Sequence, residues 1–404
     1  MFSMLLLRFA QKITRRSFMR NSGSVRILVV IIMALFMPSV ISAQAEPVHR
    51  PVSVSFVPGF GSNGPPYTHV TSNFSLNIIG GLIGNIEGCE IGSVLNIDKG
   101  HVTGFQAAGV GNFAGGDVAG LQIAGVIDVV GGGFSVVQIA GVTNVVRGEV
   151  AGGQLAGVAN IVLTHVRGVQ LAGVMNFALG DVTGVQIAGT GNMVGRNSTV
   201  QIGAVNIALG ETYTQVGVFN IAGHARGLQL GVVNVAEDHD GVPIGIVSIV
   251  KNGQFHVNAW TDESSLLNVG IKLGSKHVYN VYAVGLQPLG SSLRSRLGLG
   301  IGGHIPADPF FLDIDAVGYN VSEGLRFWSQ EGLNMLNKLR ITGGWQISPK
   351  LAITAGPTIN VWHSTEWDGE DIPIVGLPLY SHERDINGPW TDIWLGFNVG
   401  VQLF

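Results

Sequence analysis

The sequence predicts an all-β protein in two parts, an N-terminal β-solenoid of 14–16-residue coils and a C-terminal antiparallel β-barrel of about eight strands. Three observations lead there. A short glycine-rich unit recurs at a fixed step through the middle of the chain. Alternating segments of about ten residues replace it in the last third. The composition, 60 Gly in 404 residues with only 12% charged residues, calls for many tight turns between short Val- and Ile-rich strands.

The first segment reads as a targeting signal. Arg8, Lys12, Arg15, Arg16, Arg20 and Arg26 form a basic stretch, and Ile27 to Met37 is an apolar run too short to span a bilayer comfortably. Small residues at Ala43 and Ala45 suit cleavage before Glu46. Residues 1–45 are therefore expected to be a signal peptide. Thr14-Arg15-Arg16-Ser17-Phe18-Met19-Arg20 also resembles a twin-arginine export signal, and Met19 is an alternative start.

The repeats carry most of the information. GFQAAGVGN (104–112), GLQIAGVID (120–128), VVQIAGVTN (136–144), GGQLAGVAN (152–160), GVQLAGVMN (168–176) and GVQIAGTGN (184–192) follow one another. Gln106, Gln122, Gln138, Gln154, Gln170 and Gln186 fall every 16 residues. So do Asn112, Asp128, Asn144, Asn160, Asn176 and Asn192. The step then shortens to about 14, with Gln201, Gln215 and Gln229 beside Asn206, Asn220 and Asn234. Weaker copies flank the array, Glu90 with Asn96 before it and Pro243 with Ser248 after it. About eleven units fill residues 88–250, and residues 46–87 read as a lead-in and cap.

A unit this short, dominated by Gly and Val, suits one β-solenoid coil. Charged residues fall between the units and mark water-facing turns, while the apolar positions stack into one core. The alternative is one large meandering β-barrel with a strand per unit. Turn chemistry should then alternate with a two-unit period, and it does not. The Gln-to-Asn spacing also drops from six to five, which would turn every later side chain of a straight strand to the other face. In a two-sided coil each half can shorten by one. The Gln and Asn columns read as structural ladders, identical amides hydrogen-bonding from coil to coil at about 4.8 Å.

All seven Trp lie beyond residue 252. Strands are expected at 253–260, 266–273, 278–286, 296–304, 311–319, 338–347, 351–361 and 392–403. Tight turns at Gly274–Lys276, Ile305–Asp308 and Ser348–Lys350 lie on one side. Longer polar connections, 261–265, 288–293, 321–334 and 362–390, lie on the other. That asymmetry marks residues 251–404 as an outer-membrane-type barrel. Terminal Phe404 resembles the end of such barrels, although it is out of phase with the stripe Leu395, Phe397, Val399, Val401 and Leu403. A soluble β-sandwich is the alternative.

The segment PVSVSFVPGFGSNG (51–64), then NFSLNIIGGLIGNIEGCEIGSVLNI (73–97), then the GVQLAGVMN-type units resembles a family. It is similar to the bacterial surface repeat-containing proteins of spirochaetes and Bacteroidota, over about residues 51–250. The resemblance implies an exported, surface-associated protein and brings no catalytic residues with it.

A net charge of −4 without a basic stripe argues against a nucleic-acid partner. The single cysteine, Cys89, excludes an internal disulfide and reads as a small packed side chain. No phosphate loop, nucleophile elbow or metal-ligand spacing is present, so neither enzyme activity nor a cofactor is expected. The expected role is structural, adhesive or interactive at the outer membrane or cell surface. Its partners would be outer-membrane lipid and envelope or host surface proteins. Two alternatives stand beside it. His363 and Asp368, in a loop rich in carboxylates, could form a hydrolytic site on the barrel rim. A porin-like transporter would follow if the repeats were barrel strands. Glu237-Asp238-His239-Asp240 reads as a charged turn that could hold a cation.

Overall fold

Each repeat folds into one coil of two strands. In one coil, Val118–Ala124 forms the long strand, the chain turns at Gly125-Val126, and it returns as Ile127–Val130. The next coil repeats this 16 residues on, as Phe134–Ala140 and Thr143–Val146. Long strands stack on long and short on short, all parallel and in register. Gln138 lies between Gln122 and Gln154, and Asn144 between Asp128 and Asn160. The structure, a computed structural model, describes residues 48–65, 67–289, 292–325, 332–365, 377–382 and 390–404. The expected signal peptide lies outside them, as do Asp368, Trp328 and Trp367.

The protein is all-β, with about eleven solenoid coils over residues 71–250 followed by a closed eight-stranded antiparallel barrel and one extra strand. Parallel stacking at one-coil steps excludes the single meandering barrel. Among the described residues, the solenoid's only antiparallel pairing is a short hairpin, Val48–Val57 with Phe60–Gly61. That hairpin covers the first coil. The coiling starts earlier than the recognisable repeats. Val48–Val57 pairs in parallel with Val70–Asn77, which pairs with Asn85–Gly92, so part of the expected lead-in is itself coiled.

Two glycine positions let the coils close up. The first begins a kink in the long strand: Gly120 has φ +150, and a Cβ there would lie 1.8 Å from the Gly104 carbonyl oxygen of the coil below. The second is the corner, where a Cβ on Gly125 would lie 2.0 Å from the Gly109 oxygen. Glycine is favoured at both places, and in the described coils only Val136 departs from it at the kink. The shortening to 14 residues removes one residue at each. The register slips between Val182 and Val185 against Ser198–Ile202, and the corner Ala-Gly-Thr-Gly at 188–191 becomes Gly-Ala-Val at 203–205.

Half of the solenoid interior is apolar. Val102, Val118, Phe134, Val150, Val166 and Val182 pack against Ala114, Val130, Val146, Val162, Ala178 and Val194 as one continuous core. Each fully buried Val contributes roughly 1.5–3 kcal/mol. The other half is amide.

The barrel strands are numbered here within the barrel: β1 (Gln254–Asp262), β2 (Ser265–Gly274), β3 (Val278–Leu289), β4 (Ser292–Ala307), β5 (Phe310–Glu323), β6 (Asn334–Ser348), β7 (Leu351–Ser364), β8 (Leu377–His382) and β9 (Trp390–Leu403). Neighbours pair antiparallel from β1 to β7, β9 pairs with β7, and β9 closes on β1 through Val257↔Leu403 to Asp262↔Asn398. The expected strands are all present. β8, inside the expected 362–390 connection, pairs with the part of β9 that lies beyond the end of β1. Two expected long connections are short instead: Glu263-Ser264 is a tight turn whose acid folds into the barrel, and within 288–293 the strands continue, Pro288 pairing with Leu293 and Leu289 with Ser292.

The last coil rests on the barrel at its short-turn side. Ser275 Oγ donates to the Gly241 carbonyl at 3.3 Å and Asn280 Nδ2 to the Gly245 carbonyl at 2.8 Å. The Tyr282 hydroxyl donates to the Ile246 carbonyl.

Candidate functional site

The Gln and Asn columns are fully buried, as a ladder requires. Gln122 Nε2 donates to Gln106 Oε1 at 2.7 Å, and Gln138, Gln154, Gln170 and Gln186 each donate to the preceding Gln at 2.8 Å. Gln201, Gln215 and Gln229 continue the column across the change of period. The Asn column runs the other way. Asn144 donates to Asn160 at 2.8 Å, and Asn160 to Asn176 and Asn176 to Asn192 at 2.9 Å. Asn192, Asn206 and Asn220 pass the column on to Asn234. Each Asn amide also ties down backbone of the next coil, as Asn112 does with the Ile123 carbonyl at 2.8 Å. Two chains of amide dipoles thus oppose each other along one interior.

Where a column ends, its chemistry changes to match. The Gln column only needs an acceptor at its start, and Glu90 supplies one to Gln106 at 2.7 Å. Asp98 also accepts from Gln106. Burial raises the Glu90 carboxyl, and burial together with Glu90 raises Asp98 further. At the far end Pro243 faces Gln229 and has no donor, leaving Gln229 Oε1 without a partner. Asp128 interrupts the Asn column. It accepts from Asn112 at 2.8 Å. It has no amide to pass on, so its own Oδ2 and Asn144 Oδ1 both lack partners. Burial pushes its carboxyl up to about 7.

The barrel interior is built differently. Lys338 Nζ lies 3.0 Å from Asp262 and 2.7 Å from Glu263, and Arg296 lies 2.5 Å from Asp262. Lys272 pairs with Asp313 at 2.5 Å, and Asp313 also meets His304 at 2.6 Å. Arg340 pairs with Asp315 at 2.7 Å and lies over the Trp260 ring, 4.5 Å from its centroid. Trp362, Trp394, Tyr279 and Tyr319 are buried among these pairs, so Trp362, expected at the start of a long connection, is a lumen residue. The cavity among Asn258, Trp260, Lys272 and Arg340 is about 10 Å³, room for a single water at most. Phe404 is out of phase with the outer stripe because it meets His256 and Phe311 edge-on, with centroids 4.5 and 6.2 Å apart.

The outer surfaces are the reverse. Strand alternation puts every Lys, Arg, Asp and Glu of the described barrel strands in the inward set. The outward set includes exposed Phe255, Val269, Ile271, Leu299, Ile301, Ile314, Leu339, Ile341, Ile353 and Val399. Phe310 and Trp345 stack outside near the short turns, with centroids 6.5 Å apart.

Other candidates are modest. His363 belongs to the outward-facing set of β7 and is hydrogen-bonded through Nδ1 to Thr391 Oγ1 at 3.0 Å; its suggested partner Asp368 lies outside the described residues. His224, Asp238 and Asp240 offer ligand atoms within 4.8 Å of one another, while His224 already pairs with Asp240 at 2.7 Å. Sequence reasoning had grouped Asp238 and Asp240 but not His224, which comes from the coil before. Cys89 is half-buried on an outward face between Phe74 and Phe105, not packed inside.

No family model, curated protein or solved structure matches the chain.

Proposed function

We propose that this is an exported envelope protein whose barrel sits in a bacterial outer membrane and whose solenoid serves as a scaffold or adhesive platform. One observation carries the reading, the inverted polarity of the barrel: ion pairs inside, a continuous aliphatic wall outside. In water that wall would be a severe liability, while in lipid it is the ordinary arrangement. The closed ring of eight strands supports it further, because each of those strands is paired on both sides and only the short extra strand β8 is paired on one. The signal-like residues 1–45 and the resemblance of residues 51–250 to surface repeat-containing proteins agree with export.

The filled lumen favours an anchor over a conduit, and the porin-like alternative loses its premise because the repeats are not barrel strands. A hydrolytic role for His363 has no geometric support among the described residues. Membrane fractionation tests the anchor. The protein should stay with the outer-membrane pellet through alkaline carbonate and high-salt washes and leave it only with detergent. Recovery in a detergent-free soluble fraction would remove the anchor reading.

A further inference from the structure

The solenoid surface is sorted by edge. Lys99, Asp117, Glu149, Asp181, Glu211 and Asp240 lie along the edge that links one coil to the next, where the exposed charges of the array gather. The opposite edge is the glycine corner. Val110, Val126, Val142, Val158, Val174 and Val218 project from it in one column, each about 40% exposed. Both flanks beside that corner are aliphatic as well: Ile123, Leu155 and Ile187 on the long strands, Val129, Ile161 and Ile207 on the short ones. At the usual coil spacing the column from Val110 to Val218 runs for about 34 Å. A water-soluble monomer rarely leaves an apolar patch of that extent open.

Three features select lipid as the occupant. First, coil-on-coil pairing satisfies the corner backbone itself, as the Gly125, Val126 and Ile127 amides all donate to the coil before, the condition for facing hydrocarbon. Second, the column is Val interrupted by Thr190 and Ala204 and ended by Ile246, whereas the centre of a protein interface favours Tyr, Trp and Arg. Third, the column ends on the barrel. Gly245 and Ile246, the corner of the last coil, bond to Asn280 and Tyr282, which project from the outer wall of β3 close to the short turns. The apolar edge is therefore continuous with the apolar barrel wall.

We propose that the glycine corner of the solenoid lies in the acyl region of the leaflet on the barrel's short-turn side, with the charged edge in water. The array then lies along the membrane as a strap rather than projecting from it. This rests on the barrel being membrane-embedded.

The test uses the full-length protein, Cys89→Ala, reconstituted in vesicles with and without acyl-brominated phospholipid. An environment-sensitive fluorophore is placed at Val142→Cys, Val174→Cys, Glu149→Cys or Ile341→Cys, one per sample. Probes at positions 142 and 174 should lose most of their emission to bromine, and the probe at 149 should keep it. The probe at 341, on the barrel wall, must also be quenched. If 341 is quenched while 142 and 174 are not, the membrane strap is overturned and the barrel reading survives. If 341 is not quenched, the barrel reading itself falls, and the strap with it. Crosslinking of two copies through position 142 without quenching would assign the edge to self-association and overturn the proposal equally.

Discussion

The solenoid and the barrel both put polar groups inside and aliphatic groups outside, yet they fill their interiors with different chemistry. The solenoid uses neutral amides, and the barrel uses paired charges. Translational repetition accounts for the difference. In a stack, each inward position meets its own kind one coil away, so a column of carboxylates or ammonium groups would repel at every step. An amide carries donor and acceptor together and is satisfied by its own copy. The barrel has no such repeat. Asp262 can face Lys338 and Arg296 because those come from other strands of unrelated sequence.

The largest test of this contrast is in the barrel. Lys338→Ala would leave Asp262 and Glu263 buried without the ammonium that lies between them, a loss of about 3–5 kcal/mol. Urea unfolding of the protein in vesicles should show it as a clear drop in midpoint. An unchanged midpoint would mean that the interior charges are not what holds the barrel.

The solenoid counterpart is Gln154→Leu. It strands the Gln170 Nε2 donor and the Gln138 Oε1 acceptor, each now bonded to Gln154 at 2.8 Å. Two orphaned groups cost about 2–4 kcal/mol. The loss should be local, and hydrogen exchange should rise in the coils on either side before it rises in the barrel. Uniform loosening of both regions would contradict the ladder as a separate element.

Asp128 is the exception that sharpens the rule. It is an acid in an amide column, and its raised carboxyl means the folded state holds the proton more tightly than the unfolded chain. Stability from this group is therefore present in acid and is lost as pH rises from about 4 to about 7. Protonated, Asp128 can donate to Asn144 Oδ1 and mend the column. Asp128→Asn supplies that donor at all pH values. It should stabilise by about 1–3 kcal/mol at pH 8 and by little at pH 5. His239 has the opposite sign, since burial lowers it to about 4 and its contribution is lost as pH falls from about 6.5. The comparison of variant with parent at each pH cancels it. A gain independent of pH would show that Asp128 does not titrate in this range.

Much of this was legible in the residues because repetition is a strong signal. The 16-residue columns mark the coil, and a two-residue shortening shared between its halves points to a two-sided coil. The barrel strands were readable from alternation. What escaped depended on contacts without a period. Asn77 heads the Asn column, donating to Asn96 at 2.7 Å, but lies outside the recognisable repeat. Asp98 shares the start of the Gln column from a position filled elsewhere by Ala, Val or Ile. Glu263 looked like a loop residue, and only the fold shows it reaching Lys338, Thr358 and the Phe397 amide. The apolar outer edge of the solenoid was written in the Val of every Ala-Gly-Val, but its orientation needed the corner geometry.

The smallest effect tests the glycine kink itself. The equivalent residue is Gly at 104, 120, 152, 168 and 184, with φ between +115 and +150. Val136 takes that place with φ +92, the only non-glycine with positive φ among the described residues. A β-branched residue is strained there, by about 1–2 kcal/mol. Its side chain is 56% exposed, so little burial offsets the strain. Val136→Gly should therefore stabilise, but the added freedom of glycine in the unfolded chain takes back part of the gain. A net increase of about 0.5–1 kcal/mol is expected. The reverse change separates strain from burial. Gly168→Ala places a Cβ 1.9 Å from the Gly152 carbonyl oxygen, and should destabilise the array by more than Val136→Gly strengthens it. If Val136→Gly weakens the solenoid instead, the exposed valine is held by contact with something outside the chain, and the apolar surface, not the backbone, decides that position.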